Sequence, residues 1–237
     1  MTEVARKVAF AAVDLNYEIA KPYIPSRFIE EMQGIHDGSN GVADFLMIRR
    51  INFLPEIIKA QCTIAGAFGP ATKDGNLLHL RALDWDHNAP VDKYPGIIIY
   101  EPTEQGSHTF ANIGFLGLTG ILTGMAKNGV SIGEKVMYPT PGAYPVEPTT
   151  TYVGKPWMFV LKDALQFATT QDDVYNQFKS TKRTAALHLG AASVKDNSFR
   201  IYDYAANMLM AIDDKNYTHY SNEHPQLDGI VFYDKGV

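Results

Sequence analysis

From residue 62 onward the chain is written as runs of short strands broken once by a helical block. That order constrains the fold more than any other feature. Ile97–Tyr100 and Thr109–Leu118 read as strands, and Thr119–Met125 and Val130–Val136 read as a pair around a Lys127-Asn128-Gly129 turn. Asn128 is expected in the left-handed position of that turn. After a proline-rich loop, Pro156–Ala168 carries Trp157, Val160, Leu161, Ala164 and Phe167 near the helical period, and Asp172–Lys179 follows as a second helix. Four more strands are predicted over Ala185–Val194, Ser198–Tyr204, Met208–Ile212 and Thr218–Ser221. Runs of strands separated by helices, rather than alternating βαβ units, predict an α+β protein of antiparallel sheets with helices stacked on a face.

The first 61 residues have a different texture. Val8–Ala20 is either a strand or the start of a helix. Ser26 is a candidate N-cap for a helix presenting Phe28, Ile29, Met32 and Ile35 on one side, and Ala43–Ile51 is a second helical candidate, after which Pro55 ends the helix or bends the chain. We therefore expect a helical segment over 1–61 and a β-rich core over 62–237. A length of 237 residues fits one large domain or two small ones. The net charge of -5, with Lys and Arg scattered, disfavours nucleic acid as a partner. No apolar run reaches the length of a membrane span. The N-terminus has no signal-peptide core, so the expectation is a lysosomal or secreted protein if a leader was removed, and a cytoplasmic one otherwise. There is no G-x-G-x-x-G, Walker or H-E-x-x-H pattern, and His87 reads as a solvated loop residue, so no cofactor or metal is expected.

Cys62 is the only cysteine, so it cannot form an intrachain disulfide. It opens Cys62-Thr63-Ile64-Ala65, which reaches a Lys73-Asp74-Gly75-Asn76 turn and returns as Leu80-Arg81-Ala82-Leu83-Asp84-Trp85. Asp-Gly between apolar stretches is a strong hairpin signal. The hairpin brings Arg81 and Asp84 back to Cys62, which predicts a salt-bridged cluster around a thiol. A lone cysteine is otherwise most often a small buried hydrophobe; the neighbouring guanidinium and carboxylate tip the balance towards chemistry.

Cys-Thr, a hairpin, Arg-x-x-Asp-aromatic and, far downstream, Tyr220-Ser221-Asn222-Glu223-His224-Pro225 resemble, in this order, the cysteine N-terminal nucleophile (Ntn) hydrolases. These include bile salt and penicillin V hydrolases, penicillin-biosynthetic acyltransferases, acid ceramidase and N-acylethanolamine acid amidase. The resemblance implies an αββα sandwich and a chain cut at Gln61–Cys62, with Cys62 as nucleophile, Arg81 and Asp84 orienting its thiol and freed α-amine, and Asn222 in the oxyanion hole. The helical segment before Cys62 is similar in layout to the small subunit of acid ceramidase, so it would be a partner subunit left by the cut or a propeptide-like part. One position departs: Ala126 stands where bile salt hydrolases carry an active-site Asn, leaving the second oxyanion donor unassigned. Asn222 is followed by fifteen residues, and family members usually run further, so the core is either C-terminally incomplete or closed economically.

The chemistry suits these residues. An α-amine with a pKa near ~8 is partly neutral at neutral pH and takes a thiol proton, while a guanidinium favours thiolate. The expected activity is hydrolysis of a linear, non-peptide amide bond in an N-acylated small molecule or lipid. The alternatives are transfer of the acyl group to an amine and a catalytically silent acyl-binding protein. Phe53, Leu54, Ile57, Ile58, Phe115, Leu116 and Leu118 are either core or an apolar approach for such a substrate. If Asn222 donates to the oxyanion, Asn222→Ala lowers kcat by roughly a hundredfold, with KM far less changed. Steady-state kinetics on an N-acyl substrate check this, and a raised KM with unchanged kcat makes Asn222 a binding or turn residue.

Overall fold

A computed structural model describes residues 2–58, 61–84, 93–139, 141–142, 144–216 and 227–233. The N-terminal segment is helical. Helix α1 (Glu3–Ala20) is capped by the Thr2 hydroxyl accepting from the Ala5 N–H, α2 spans Ser26–Gly38, and α3 (Phe45–Phe53) starts at Asp44, whose carboxylate accepts from the Met47 N–H. Val8–Ala20 is thus helix. Its apolar residues bury a single stripe of Val13, Tyr17 and Ala20, the spacing of a helix face rather than a strand.

Among the described residues ten strands follow, β1 (Gln61–Gly69), β2 (Gly75–Asp84), β3 (Pro95–Tyr100), β4 (Phe110–Phe115), β5 (Thr123–Ala126), β6 (Val130–Val136), β7 (Leu187–Ser193), β8 (Ser198–Ala205), β9 (Met208–Ile212) and β10 (Ile230–Tyr233), with α4 (Trp157–Phe167) and α5 (Gln171–Ser180) between β6 and β7. They form two sheets of entirely antiparallel pairs: a meander of seven, β3-β4-β5-β6-β7-β8-β9, and a sheet of three in the order β10-β1-β2. The predicted Thr218–Ser221 strand lies outside the described residues. Conversely, β10 carried no expectation, and it matters, because pairing with it makes β1 the central strand of its sheet.

The large sheet is covered on both faces where β6, β7 and β8 run. On one face Val130, Ile132, Leu189, Ala191, Tyr202 and Tyr204 join a core with α4 and α5. The N-terminal helices extend this layer, with Phe28 stacked on Phe159 at 4.6 Å and Phe53 edge-on to Phe159 at 5.8 Å. On the other face Ala192, Phe199 and Ile201 pack against Ile64 and Phe68 of β1 and Val231 of β10. The protein is thus α+β, with helices on a large sheet on a small sheet. Of the expected four-layer sandwich, the second helical layer has no counterpart among the described residues: Leu78 and Leu80 on the outer face of β2 are 60% and 54% exposed.

The two sheets approach closely because glycines leave room. A Cβ on Gly66 of β1 would stand 2.0 Å from Cγ of Phe199, and one on Gly133 of β6 would stand 2.8 Å from Cγ of Arg81. Gly66→Ala therefore forces Phe199 off its position in the inter-sheet core, and overpacking of this kind costs about 1–3 kcal/mol. Urea unfolding checks this as a lowered midpoint with unchanged slope.

Candidate active site

In β1, burial alternates so that Cys62, Ile64, Gly66 and Phe68 face the large sheet. Cys62 is 5% exposed. It pairs with Leu83 of β2, while Ile64 pairs with Arg81 and Gly66 with His79. Arg81 and His79 belong to the inward set of β2, so Arg81 lies diagonally next to Cys62 on the same face. The hairpin therefore brings the thiol and the guanidinium together as the sequence implies: Arg81 Nη2 is 3.3 Å from Cys62 Sγ.

The carboxylate of the cluster, however, is Glu134. Arg81 Nη2 donates to Glu134 Oε1, and Arg81 Nε donates to the Glu134 backbone carbonyl at 3.2 Å. The Cys62 thiol lies 3.6 Å from the same Oε1. The side chains of Arg81 and Glu134 are 5% and 7% exposed, making this an ion pair buried between the two sheets. Asp84 stands opposite Gln61 at the end of the hairpin, and its backbone lies against the thiol, but its side chain belongs to the outward, exposed set. The expected Arg81–Asp84 salt bridge is corrected for a simple reason: residues three apart in a strand point to opposite faces. Asn222 and His87 lie outside the described residues. Asn128 does not take the left-handed position, which falls to Gly129 at φ 91°; its amide instead donates to Ala168 O at 2.8 Å, tying the β5–β6 turn to the end of α4.

Electrostatics set the resting state of the thiol. Burial, reinforced by the negative charge of Glu134 and opposed by Arg81, pushes the Cys62 thiol up to about 12. Cys62 therefore rests as a neutral thiol beside an acceptor, with Glu134 placed to take its proton. Burial raises Glu134 as well, and Arg81 is the main force keeping it charged. His79, held by Ser131 Oγ at 2.8 Å, is driven down to about 4 by burial and by Arg81, so it is neutral at pH 7. His79 and Arg81 open onto a groove of about 410 Å³ between β2 and the uncovered end of the large sheet, with Leu77, Ile113 and Met125 among its walls. Of the apolar residues suggested as an approach, Phe53 and Leu118 are core, whereas Ile58 and Leu116 are 44% and 61% exposed.

No family model matches the chain. Its sequence is similar to two Dictyostelium discoideum proteins. Protein dcd1A is 33% identical over 237 residues, covering 95% of this chain and 52% of that protein. Protein dcd1B is 31% identical over 229 residues, covering 95% and 44%. The chain thus spans about half the length of these curated relatives. Among solved structures it is similar to the Caenorhabditis elegans ortholog of N-acylethanolamine-hydrolyzing acid amidase, with a TM-score of 0.49 and 16% identity, covering 73% of this chain and 69% of that one. A variant of conjugated bile acid hydrolase from Clostridium perfringens gives a TM-score of 0.42 at 17% identity, covering 63% and 50%.

Glu134 was missed by sequence reasoning, yet it left a trace: Gly133-Glu134-Lys135 puts two charges inside a strand otherwise written as Val, Ile and Val. Charges in a buried strand are rarely tolerated unless paired. Arg81→Met leaves the Glu134 carboxylate buried without its cation, so it should cost about 3–5 kcal/mol, whereas adding Glu134→Gln should restore much of that. Urea unfolding of the two variants checks this. Equal destabilisation in the single and double variants makes the pair energetically unimportant.

Proposed function

We propose that this chain is a cysteine amidohydrolase of the Ntn kind, processed at Gln61–Cys62 and acting on a linear amide through a thioester on Cys62. The observation that carries the reading is the lone cysteine, placed at the head of a central strand with its thiol against a buried Arg81–Glu134 pair. A cysteine serving only as core would need neither charge beside it.

Processing follows from these atoms. Glu134 accepts the thiol proton while sulfur attacks the Gln61 carbonyl carbon. The C–N bond to Cys62 breaks, and the proton passes to the departing nitrogen. Water then cleaves the Gln61 thioester, leaving a Gln61 carboxyl, a free Cys62 thiol and an α-amine. That amine, with a pKa near ~8, supplies the general base that the buried thiol lacks before cleavage. Asp84, opposite Gln61, is at hand to hold it. In turnover the same thiol attacks the substrate amide, the amine leaves with a proton, and water hydrolyses the acyl thioester. The groove beside Arg81, walled by Leu77, Ile113 and Met125, suits an apolar acyl group.

The N-terminal segment would then remain as a bound subunit. Its attachments do not depend on the peptide bond: Asn52 Oδ1 accepts from the Thr119 N–H at 2.7 Å, its amide donates to Gly117 O at 2.8 Å, and Lys162 pairs with Glu31 at 2.5 Å. Phe28 and Phe53 stay buried against α4. No helix of the described residues is long and apolar enough to cross a membrane.

Intact mass and N-terminal sequencing test the reading. The active preparation should contain a piece ending at Gln61 and one beginning at Cys62, co-eluting in gel filtration, whereas Cys62→Ala stays whole. Active protein in which Cys62 is never an N-terminus would overturn the Ntn assignment.

A further inference from the structure

Glu56, five residues ahead of Gln61, is a second buried carboxyl group, and the chemistry above makes no use of it. It is 6% exposed. Its Oε1 accepts from the Trp157 N–H at 2.6 Å, at the start of α4, and from Thr184 Oγ1 at 3.1 Å. Its Oε2 is buried and has no hydrogen-bond partner. Glu56 also lines a small cavity of about 70 Å³ together with Glu134, Leu122, Tyr152, Trp157 and Leu187. That is room for a few water molecules. Two carboxyl groups from different parts of the chain therefore share one small space, and one of them, Glu134, is the neighbour of the Cys62 thiol.

The groups facing Glu56 do not neutralise it. Glu134 from β6 and Tyr152 line the shared cavity. Tyr204 from β8 has a buried hydroxyl without a hydrogen-bond partner and feels the charge of Glu56. Arg183 lies 5.9 Å from the Tyr204 ring and makes no ion pair with Glu56 among the described residues. The helix start at Trp157 favours a negative charge, but burial outweighs it and the two hydrogen bonds, lifting Glu56 from 4.5 to about 7.

We propose that Glu56 is a positioning residue of the Cys62 site: its Oε1 tethers the segment before Gln61–Cys62 to the start of α4 and to Thr184, and its carboxyl group shares with Glu134 the cavity whose charge governs the thiol's neighbour. This rests on the amidase reading for its consequence in catalysis, and on geometry alone for the tether. When Glu56 ionises, its hydrogen bonds to Trp157 and Thr184 persist, but a second negative charge enters the cavity and Glu134 holds its own charge less readily. Glu56 thereby sets the alkaline limit of Cys62 processing.

Folding favours the protonated form, so the stabilisation is complete below about pH 4.5 and is lost as the pH rises to about 7. Glu56→Gln retains an oxygen for Trp157 and Thr184 and cannot ionise. In an uncleaved Cys62→Ala background, melting temperature is measured from pH 4 to pH 9 with and without Glu56→Gln. The expected result is a gap in favour of Glu56→Gln that opens between those two pH values and then levels, equivalent to roughly three-hundredfold in the folding constant. A gap that does not change with pH overturns the proposal. In the second arm, the appearance of the Cys62 N-terminus is timed across the same range. Wild-type processing should fall with a midpoint near the Glu56 value, Glu56→Gln should hold its rate at least a unit of pH higher, and Glu56→Ala should be slow throughout. An alkaline limb identical in wild type and Glu56→Gln also overturns it. If no chain is cut at any pH, the amidase reading fails, and the melting curves alone decide the tether.

Discussion

Arg81 and Glu134 form an ion pair that neither sheet could keep by itself. Each is expensive to bury alone, and each is supplied by a different sheet. Several features otherwise unrelated in sequence are fixed by the need to bring them together. Position 133 is glycine because the Arg81 stem lies on it. β1 is flanked by strands on both sides, which holds Cys62 over the large sheet. The thiol sits beside a carboxylate that raises its proton affinity and a guanidinium that lowers it. A neutral thiol is the outcome.

The helical segment before Cys62 is part of the same solid. Its aromatic residues complete the core over α4, and its polar residues satisfy backbone groups of the β4–β5 connection: Asn52 alone serves Gly117, Thr119 and Ile48. An asparagine that bridges three backbone positions while buried works as a hub, because each group it satisfies would otherwise carry a desolvation penalty. Arg49 and Arg50 both reach Asp14 at the half-buried join of α3 with α1, and the Asp14 carboxyl is held below its usual range chiefly by Arg50.

Much of this was legible in the residues. The helical block, the meander and the β1–β2 hairpin followed from periodicity and turn chemistry, which are local signals. The nearness of Arg81 to Cys62 followed from the hairpin, since register carries position 81 back beside position 62. What was not legible is what depends on pairing between distant segments. β10 is four residues of ordinary strand whose partner lies more than 160 positions earlier. Glu134 reaches Cys62 only through the stacking of two sheets, and no spacing rule encodes that. Asp84 was misplaced by reading sequence proximity where the two-residue period of a strand decides the face.

Helix α1 has a property of its own. Its buried residues, Val13, Asn16, Tyr17 and Ala20, all fall in its second half, while Val4 and Val8 are 72% and 64% exposed. Among the described residues the first turns are held by the Thr2 cap and a surface Glu3–Lys7 pair, with Phe10 under Arg50 at 4.4 Å where they end. A stretch of that length does not keep helical form by propensity alone. One continuous helix therefore contains two regimes: a distal part whose amides exchange their hydrogens with water on the timescale of local fraying, and a proximal part whose amides are protected for as long as the core stays shut.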